Sequence, residues 1–214
     1  MVVAEKEKPA RTASRERRRR QLIDATMKCI GRKGIGGTTL ADVAKEAGLS
    51  QGIVNLHFKS KDNLLRETLR RLAGEYRSQF ERELARTELS AAEKLLALME
   101  LDIRPSVCQP SKLAVWFAFW GEVKSRPTYR RICDELDRHY DDVVQGLCSE
   151  IIADGQYRGA DAASIALTLN AMTNGMWLSC LISPKTWNRA DADVAIRAYL
   201  ATTFPQHFER PKTS

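Results

Sequence analysis

The sequence lacks the motifs that mark enzymes, metal-binding proteins and secreted proteins. Its 5 cysteines include no Cys-x-x-Cys pair, so we expect free thiols rather than disulfides or a structural zinc site. It contains no Gly-x-Ser-x-Gly elbow, no dinucleotide-binding glycine motif and no His-Glu-x-x-His zinc motif. We therefore expect no enzyme, with no catalytic residue, metal or cofactor. The first residues lack the apolar stretch of a secretory signal, which favours a cytoplasmic protein.

Proline and glycine are also scarce. Only 7 prolines and 12 glycines occur in 214 residues, and they lie mainly between apolar segments with helical spacing. This distribution predicts an all-α protein of about nine helices. We place a disordered tail at residues 1–14, a first domain of three helices at 15–61, a second helical domain at 62–208 and a frayed end at 209–214.

Positive charge is concentrated in the first third of the chain. Residues 1–70 contain 16 Lys and Arg against 8 Asp and Glu, whereas residues 71–214 contain 18 against 19. The net charge of +7 therefore comes from the first segment. A basic module joined to a nearly neutral body predicts a polyanionic partner for that module alone. The alternative, a solvated basic tail, accounts for residues 5–20 but not for the segment that follows.

Two short helical patterns joined by a glycine turn lie within residues 38–61. The apolar residues of the first share one helix face, at Leu40, Val43, Ala44 and Ala47. Thr39 and Asp42 have the spacing of a capping box, and Gly48 is placed where a left-handed residue ends a helix. Ser50 is expected to cap the second pattern, whose apolar residues are Ile53, Val54 and Phe58. This arrangement predicts a helix-turn-helix.

The second of these helices leaves small or hydrogen-bonding side chains on its outer face. Such a helix can enter the major groove of DNA, about 12 Å wide, and meet base edges with its N-terminal residues. We expect five residues to face base edges: Ser50, Gln51, Gly52, Asn55 and Leu56. Thr39, His57 and Lys61 are expected to contact phosphates, which set register rather than sequence. The alternative is a hairpin that makes only protein contacts.

A long uncharged stretch covers residues 162–183. It is long enough to cross a bilayer, but it contains Asn170, Asn174 and several Ser and Thr, and the sequence has no second stretch of this kind. We therefore predict a helix buried on most sides, and no membrane partner.

Bulky aromatic residues are grouped in the second domain. Trp116, Phe119 and Trp120 lie at i, i+3 and i+4 on one helix side, and Trp177 lies in the uncharged stretch. Indole faces can stabilise a quaternary ammonium ion, which has no N–H to donate. The alternative is that these residues are ordinary core, as aromatic residues at helical spacing usually are. We expect Trp187, in a loop, at the surface or at a dimer contact.

The segment TTLADVAKEAGLSQGIVNLHFKSKDNLL, residues 38–65, strongly resembles the DNA-binding domain of the TetR family of transcriptional regulators. His57, Phe58 and Lys61 match the family pattern, whereas Asn55 replaces its usual tyrosine, so base preference cannot be carried over at that position. The resemblance implies an all-α homodimer that binds operator DNA and has a variable ligand-binding body. We expect the last two helices to pair with their copies.

The body resembles the choline-responsive repressors of glycine-betaine synthesis genes within this family. The likeness rests on RRRRQLIDATMKCI, KLAVWFAFWGEV and NAMTNGMWLSCLIS. It implies a repressor that is released from DNA by a small quaternary ammonium ligand, choline or betaine aldehyde, bound in an aromatic cage. The expected ligand residues are Trp116, Phe119, Trp120, Trp177, Asn174, Asp102 and Tyr129.

Within this expected cage, Asn174 or Asn170 would bind the choline hydroxyl, Asp102 or Glu122 would balance the positive charge, and Tyr129 would close the pocket. The alternative is a repressor of an efflux or catabolic operon that responds to a different hydrophobic or cationic ligand.

Overall fold

The computed structural model describes residues 10–211, with side chains from residue 12 onward. Over this range the chain forms nine α-helices and no strand, as the spacing of apolar residues predicts. The helices are α1 (Ala10–Gly37), α2 (Leu40–Ala47), α3 (Gln51–Phe58), α4 (Lys61–Leu84), α5 (Ala91–Ile103), α6 (Pro110–Glu122), α7 (Pro127–Asp154), α8 (Ala162–Ile182) and α9 (Arg189–Thr203). The chain divides into two compact units after Arg71.

The first unit contains α1, α2, α3 and the beginning of α4. Each of these helices contributes an apolar side chain that is at most 1% exposed, namely Leu22, Val43, Val54 and Leu64. Burial of each such side chain contributes roughly 1.5–3 kcal/mol. Since α2 and α3 have only 8 residues each, this shared core rather than intrinsic helix propensity holds them in place.

The caps of the α2–α3 turn agree with the sequence pattern except at one side chain. The Asp42 N–H donates to Thr39 Oγ1 (3.1 Å), and the Thr39 N–H donates to Asp42 Oδ2 (3.0 Å), which completes the capping box. Gly48 ends α2 in the left-handed conformation, with φ of 63°. Ser50 occupies the N-cap position of α3, but its side chain makes no capping hydrogen bond. The prediction for Ser50 is therefore correct for its position and wrong for the bond.

Two predicted boundaries in this part of the chain are corrected by the structure. α1 begins at Ala10, so residues 10–14 are helical rather than part of a disordered tail, while residues 1–9 lie outside the described range. No proline occurs between Ala10 and Gly37, so nothing in this stretch prevents the helix from starting at Ala10. The first unit extends to Arg71 rather than to residue 61, because Leu64 of α4 belongs to its core.

The second unit contains the rest of α4 together with α5 to α9. Its largest fully buried side chains include Phe80, Phe119, Tyr129 and Phe204. All five cysteines of the chain are free and buried, in agreement with their spacing. Desolvation by burial raises the pKa of Cys133, against a smaller lowering by a hydrogen bond, and that of Cys148, both to about 12, so both remain thiols at neutral pH.

α8 is uncharged, yet it is not buried on most sides within a single chain, so that prediction is wrong for the chain alone. Only 33% of its apolar window is buried, and Leu167 and Ile182 are 71% and 69% exposed. By length and composition α8 is, among the described residues, the one helix that could cross a membrane. An uncharged face with large exposed apolar side chains is typical of an interaction surface.

Candidate functional site

α3 turns its apolar residues inward and its polar residues outward. Val54 and Phe58 are buried in the core of the first unit. All five residues expected at base edges are exposed: Ser50, Gln51, Gly52, Asn55 and Leu56. Leu56 has 70% of its surface exposed. An exposed leucine side chain of this kind can make an apolar contact with a thymine methyl group in the major groove.

The three residues expected at phosphates differ in their exposure and in the interactions that they already make. Thr39 is exposed, although its hydroxyl donates to Asp42 Oδ2 (2.7 Å). Lys61 is half-buried, with its Nζ 3.5 Å from a main-chain carbonyl oxygen near the end of α1. His57 is half-buried, and desolvation followed by the charges of nearby arginines lowers its pKa. His57 is therefore favoured as a neutral N–H donor rather than as a cation.

One arginine of the basic run on α1, Arg19, is held in place by contacts within the first unit. Arg19 donates to Glu67 Oε2 (2.5 Å) and to the carbonyl oxygen of His57 (3.4 Å). Its guanidinium lies 4.8 Å from the ring centroid of Phe58. Arg17 and Arg20, in contrast, are exposed. The first unit thus presents positive charge on α1 as well as polar groups on α3.

The second unit contains a pocket whose walls come from α4, α5, α6, α7 and α8. The space between these walls has a volume of about 470 Å³, part of which is open to solvent. The lining residues are Tyr76, Asp102, Trp116, Trp120, Cys133, Leu136, Asp137, Tyr140, Asn170, Thr173, Asn174 and Trp177.

Three indole rings form one wall of this pocket. The ring centroids of Trp116, Trp120 and Trp177 lie 6.1–6.3 Å from one another, at the corners of a nearly equilateral triangle. A cation–π contact needs the cation over a ring face within about 6 Å of the centroid, and this spacing lets one cation lie that close to all three centroids. The sequence prediction that these three indoles lie together is confirmed by these distances.

Asp102, on α5, organises the floor of the pocket. Its main-chain carbonyl oxygen accepts a hydrogen bond from Trp177 Nε1 (2.8 Å), which fixes the orientation of that indole. Its carboxyl group accepts hydrogen bonds from the hydroxyl groups of Tyr76 (2.7 Å) and Tyr140 (3.2 Å). Desolvation raises the pKa of Asp102 to about 6, although the hydrogen bonds from both tyrosines and Thr173 lower it. Asp102 thus places a negative charge beside the indoles at neutral pH.

Three residues considered for the ligand site lie elsewhere. Phe119 and Tyr129 are buried against each other, with ring centroids 5.2 Å apart. Glu122 Oε2 lies 3.4 Å from Arg126 Nε instead of in the pocket. With 3.6 residues per helical turn, positions i+3 and i+4 fall on opposite sides of position i, so Trp120 reaches the pocket while Phe119 reaches the core behind it.

Several lining residues were not singled out from the sequence. Tyr76, Asp137, Tyr140 and Thr173 are contributed by three different helices, α4, α7 and α8. A helical signal exists only for α7, where residues 133, 136, 137 and 140 lie on one face. Nothing in the sequence shows which helix faces which, so this signal does not distinguish a pocket wall from ordinary core.

Comparison with known proteins agrees with this architecture. Residues 22–68 match the bacterial regulatory proteins of the tetR family, and residues 91–205 match the C-terminal domain of BetI-type transcriptional repressors. The HTH-type transcriptional regulator BetI of Paraburkholderia phymatum is 34% identical over 169 residues, which cover 79% of this chain and 84% of that protein.

Two solved structures show the same fold. A crystal structure from Pseudomonas aeruginosa PAO1 has a TM-score of 0.78 at 26% identity and covers 91% of this chain and 95% of its own. A crystal structure of a protein from Saccharomonospora viridis in complex with choline has a TM-score of 0.74 at 24% identity, with coverage of 86% and 96%.

A helix-turn-helix unit followed by a helical body with a pocket defines a ligand-responsive DNA-binding regulator, and this chain belongs to the TetR family of such regulators. It is not an enzyme. Within that family its C-terminal domain makes it a BetI-type transcriptional repressor. Members of the family are cytoplasmic proteins that bind operator DNA and small-molecule ligands, and dimerisation is typical of them.

Proposed function

We propose that this repressor controls genes for the conversion of choline to glycine betaine and that choline, bound in the pocket, releases it from operator DNA. The observation that carries this proposal is the triangle of Trp116, Trp120 and Trp177 beside the buried carboxyl group of Asp102. The choline complex of the S. viridis protein supports the same ligand. Since the protein acts on DNA, we place it in the cytoplasm.

The chemistry of choline fits this wall of the pocket. Its trimethylammonium group has no N–H, so a protein stabilises its charge with aromatic faces and an opposite charge rather than with hydrogen bonds. A desolvated cation–π contact contributes about 2 kcal/mol. Three indoles together with Asp102 can therefore offset the loss of water around the cation. Asn174, which lines the pocket, supplies a polar partner for the hydroxyl group.

For the DNA side, we propose that α3 lies in the major groove with Ser50, Gln51, Gly52, Asn55 and Leu56 at base edges. Thr39, His57 and Lys61 would then contact phosphates on either side. Two copies of α3 in a dimer need a spacing of about 34–36 Å to reach successive major grooves. Any ligand that changes this spacing lowers the affinity for the operator.

The link between pocket and DNA is proposed to be α4. This helix carries Tyr76, which lines the pocket, and it also carries Leu64, which belongs to the core of the first unit. If choline binds more tightly when α4 and its Tyr76 are in one position than in another, binding shifts the protein towards the preferred position of α4. Only this difference in affinity, and not tight binding by itself, can release the DNA.

Calorimetry with choline on the purified protein tests the ligand, with Trp116→Ala and Trp177→Ala as the affected variants. Both should lose choline binding and keep operator binding, because neither residue lies in the first unit. Trp187→Ala is the matched control, since Trp187 is outside the choline pocket. If the wild-type protein binds a hydrophobic or different cationic compound and not choline, the regulated genes are those of an efflux or catabolic operon instead.

The dimer is proposed to form through α8 and α9. Their exposed aliphatic side chains include Leu167, Leu178, Ile182 and Val194. α8 contains no charged residue, so its own part of this face has no charge to desolvate on pairing. We propose a second copy of the chain as the partner, because dimerisation is typical of the family and a two-fold axis would give α3 the paired arrangement that a DNA operator needs.

A further inference from the structure

The side chains of α3 are unusual for a helix that meets DNA bases, because none of them is a carboxylate, an ammonium or a guanidinium group. Its sequence, QGIVNLHF, contains no Lys, Arg, Asp or Glu. Its one titratable residue, His57, lies half-buried in the last turn. In the major groove, Lys and Arg are the usual partners of guanine, and Asp and Glu accept from the amino group of cytosine. α3 therefore lacks the side chains that most often recognise a G·C pair.

Two amide side chains are available on the outer face of α3. Gln51 and Asn55 are exposed one helical turn apart, and no hydrogen bond within the described chain occupies either side chain. The amide of Gln21, on α1, is in contrast used by the fold, since it donates to the carbonyl oxygen of Ala47 (2.7 Å). A free amide presents a donor and an acceptor side by side, which matches the amino group and N7 of adenine.

The same face carries an exposed leucine. Leu56 is 70% exposed, and within the described part of the first unit it is the one large apolar side chain with such exposure. The other large exposed apolar side chains of the described chain lie on α8 and α9, at Leu167, Leu178, Ile182 and Val194. The methyl group of thymine is the apolar group that base pairs present in the major groove. Leu56 is therefore suited to contact thymine.

Gly52 lies one turn before Leu56 and leaves the helix surface bare there. A Cβ at this position would meet only Ser50 Oγ, at 3.7 Å, which is an ordinary contact distance. The packing of the first unit therefore does not require a glycine, although glycine in a helix is less stable than alanine. Since helical side chains lean towards the N-terminus of their helix, Leu56 leans towards this bare surface. The glycine leaves space for a base beside the leucine.

We propose that α3 recognises A·T base pairs, with Gln51 and Asn55 bound to adenine edges and Leu56 in contact with a thymine methyl group above Gly52. This inference rests on the proposed placement of α3 in the major groove and goes beyond it by naming the bases. Residues i and i+4 are about 6 Å apart along a helix and base pairs about 3.4 Å, so the two adenines lie about two base pairs apart. Any guanine contact falls to basic residues outside α3.

Base analogues in a selected DNA duplex test this proposal. The full-length protein first enriches its binding sites from a library of random sequence, and its affinity for the enriched duplex is measured by fluorescence anisotropy. Uracil in place of one thymine removes only the methyl group, and the affinity should fall about fourfold. Replacement of a recognised adenine by 7-deazaadenine removes only N7, and the affinity should fall about tenfold.

Three variants at exposed positions assign these effects to residues. Leu56→Ala should lose the uracil penalty and keep the 7-deazaadenine penalty at the adenine bound by Asn55. Asn55→Ala should show the reverse, so each variant is the matched control for the other. Gly52→Ala should melt at a temperature no lower than that of the wild type, because its Cβ meets no close atom, and should still bind the duplex at least about tenfold more weakly.

The outcomes separate this inference from the proposed function. If a site is enriched but neither analogue changes the affinity, recognition of A·T pairs by α3 is wrong while specific DNA binding stands. A uracil penalty that survives in Leu56→Ala, or wild-type affinity in Gly52→Ala, overturns the thymine contact. A 7-deazaguanine penalty that disappears in Asn55→Ala would show that α3 recognises G·C pairs instead. If no sequence is enriched, the proposed operator binding by α3 is wrong and this inference fails with it.

Discussion

Asp102 is a single residue that accepts hydrogen bonds through two different groups, its main-chain oxygen and its carboxyl group. Its main-chain oxygen holds the indole of Trp177, and its carboxyl group receives the hydroxyl groups of Tyr76 and Tyr140. One residue thereby connects α4, α5, α7 and α8 at the floor of the pocket. Because the carboxyl group is only 2% exposed, its charge state depends on what occupies the cavity.

The affinity for choline should therefore depend on pH. Since desolvation raises the pKa of Asp102 to about 6, the carboxyl group is ionised above that pH and protonated below it. A cation stabilises the ionised form, so its affinity should fall as the pH is lowered through about 6, by up to about tenfold per pH unit. Calorimetric titrations between about pH 5 and pH 8 measure this fall. Equal affinities at both ends of that range would contradict it.

The same raised pKa has the opposite effect on the stability of the ligand-free protein, which should increase as the pH is lowered. Burial disfavours the ionised form, and the value in the unfolded chain is near 3.8. The ligand-free fold should therefore gain stability from this group as the pH falls from about 6 towards that value. Asp102→Asn removes the ionisable carboxyl group and serves as the control, because both its choline affinity and its stability should vary less with pH.

At the scale of the element, the α2–α3 turn depends on two features that the sequence shows directly. Thr39 and Asp42 satisfy each other's main-chain N–H groups at the start of α2, and Gly48 ends that helix in the left-handed region. These interactions are local in sequence. They hold the start of α3 at a defined angle to α2, which is what a reading helix requires.

We predict that Thr39→Ala lowers the free energy of unfolding by about 1 kcal/mol, the usual value of an N-cap side chain. Ser50→Ala is the matched comparison, because Ser50 occupies the same type of position without a side-chain capping bond. It should change stability by only a few tenths of a kcal/mol and still weaken operator binding. Urea titrations monitored by circular dichroism measure both values. A larger loss in Ser50→Ala than in Thr39→Ala would show that the caps are misassigned.

Gly48→Ala tests the glycine of the same turn. A Cβ at this position meets no atom within 4 Å, so any loss of stability comes from the backbone and not from a clash. The left-handed conformation costs a residue with a Cβ about 1–2 kcal/mol. Gly48→Asn should lose less than Gly48→Ala, since asparagine tolerates this region better. Equal stability of the wild type and Gly48→Ala in urea would rule out strain at this turn.

These elements also show what can be predicted from the sequence and why. Helices that begin at a proline or a side-chain cap, such as α5 after Ser90, are predictable because the signal lies within a few residues. For α1 the sequence predicts a start at Arg15, where the basic run begins, whereas the helix begins at Ala10. The indole triangle was predictable from helical spacing and family resemblance. Tyr76 and Asp137 were not, because they enter the pocket only through the packing of separate helices.

At the scale of the whole molecule, the exposed face of α8 should decide the oligomeric state. Leu167→Glu and Ile182→Glu each place a charge in an apolar surface, so they should convert the proposed dimer to a monomer. Size-exclusion chromatography with light scattering measures the mass. Lys185→Glu, a charge change in the exposed loop after α8, is the control and should leave the mass unchanged. A wild-type protein of monomeric mass, near 24.1 kDa, would contradict the proposed interface.

The uneven charge of the molecule gives a second prediction at this scale. Since the excess of positive charge lies in residues 1–70, DNA affinity should fall steeply with salt, through the release of counterions from phosphates. The slope of log affinity against log salt should decrease by about 1 when a phosphate-binding residue such as Lys61 is replaced by Ala. A DNA affinity that is insensitive to salt would favour protein contacts for the hairpin instead.

In the proposed mechanism, a cation bound in the indole-lined pocket of the second unit controls operator binding by the basic first unit. The most direct test is the affinity of the protein for the DNA immediately upstream of its own gene, measured by fluorescence anisotropy with and without saturating choline. We expect choline to lower this affinity in the wild type and to have no effect in Trp177→Ala. An affinity in the wild type that is the same with and without choline would contradict it.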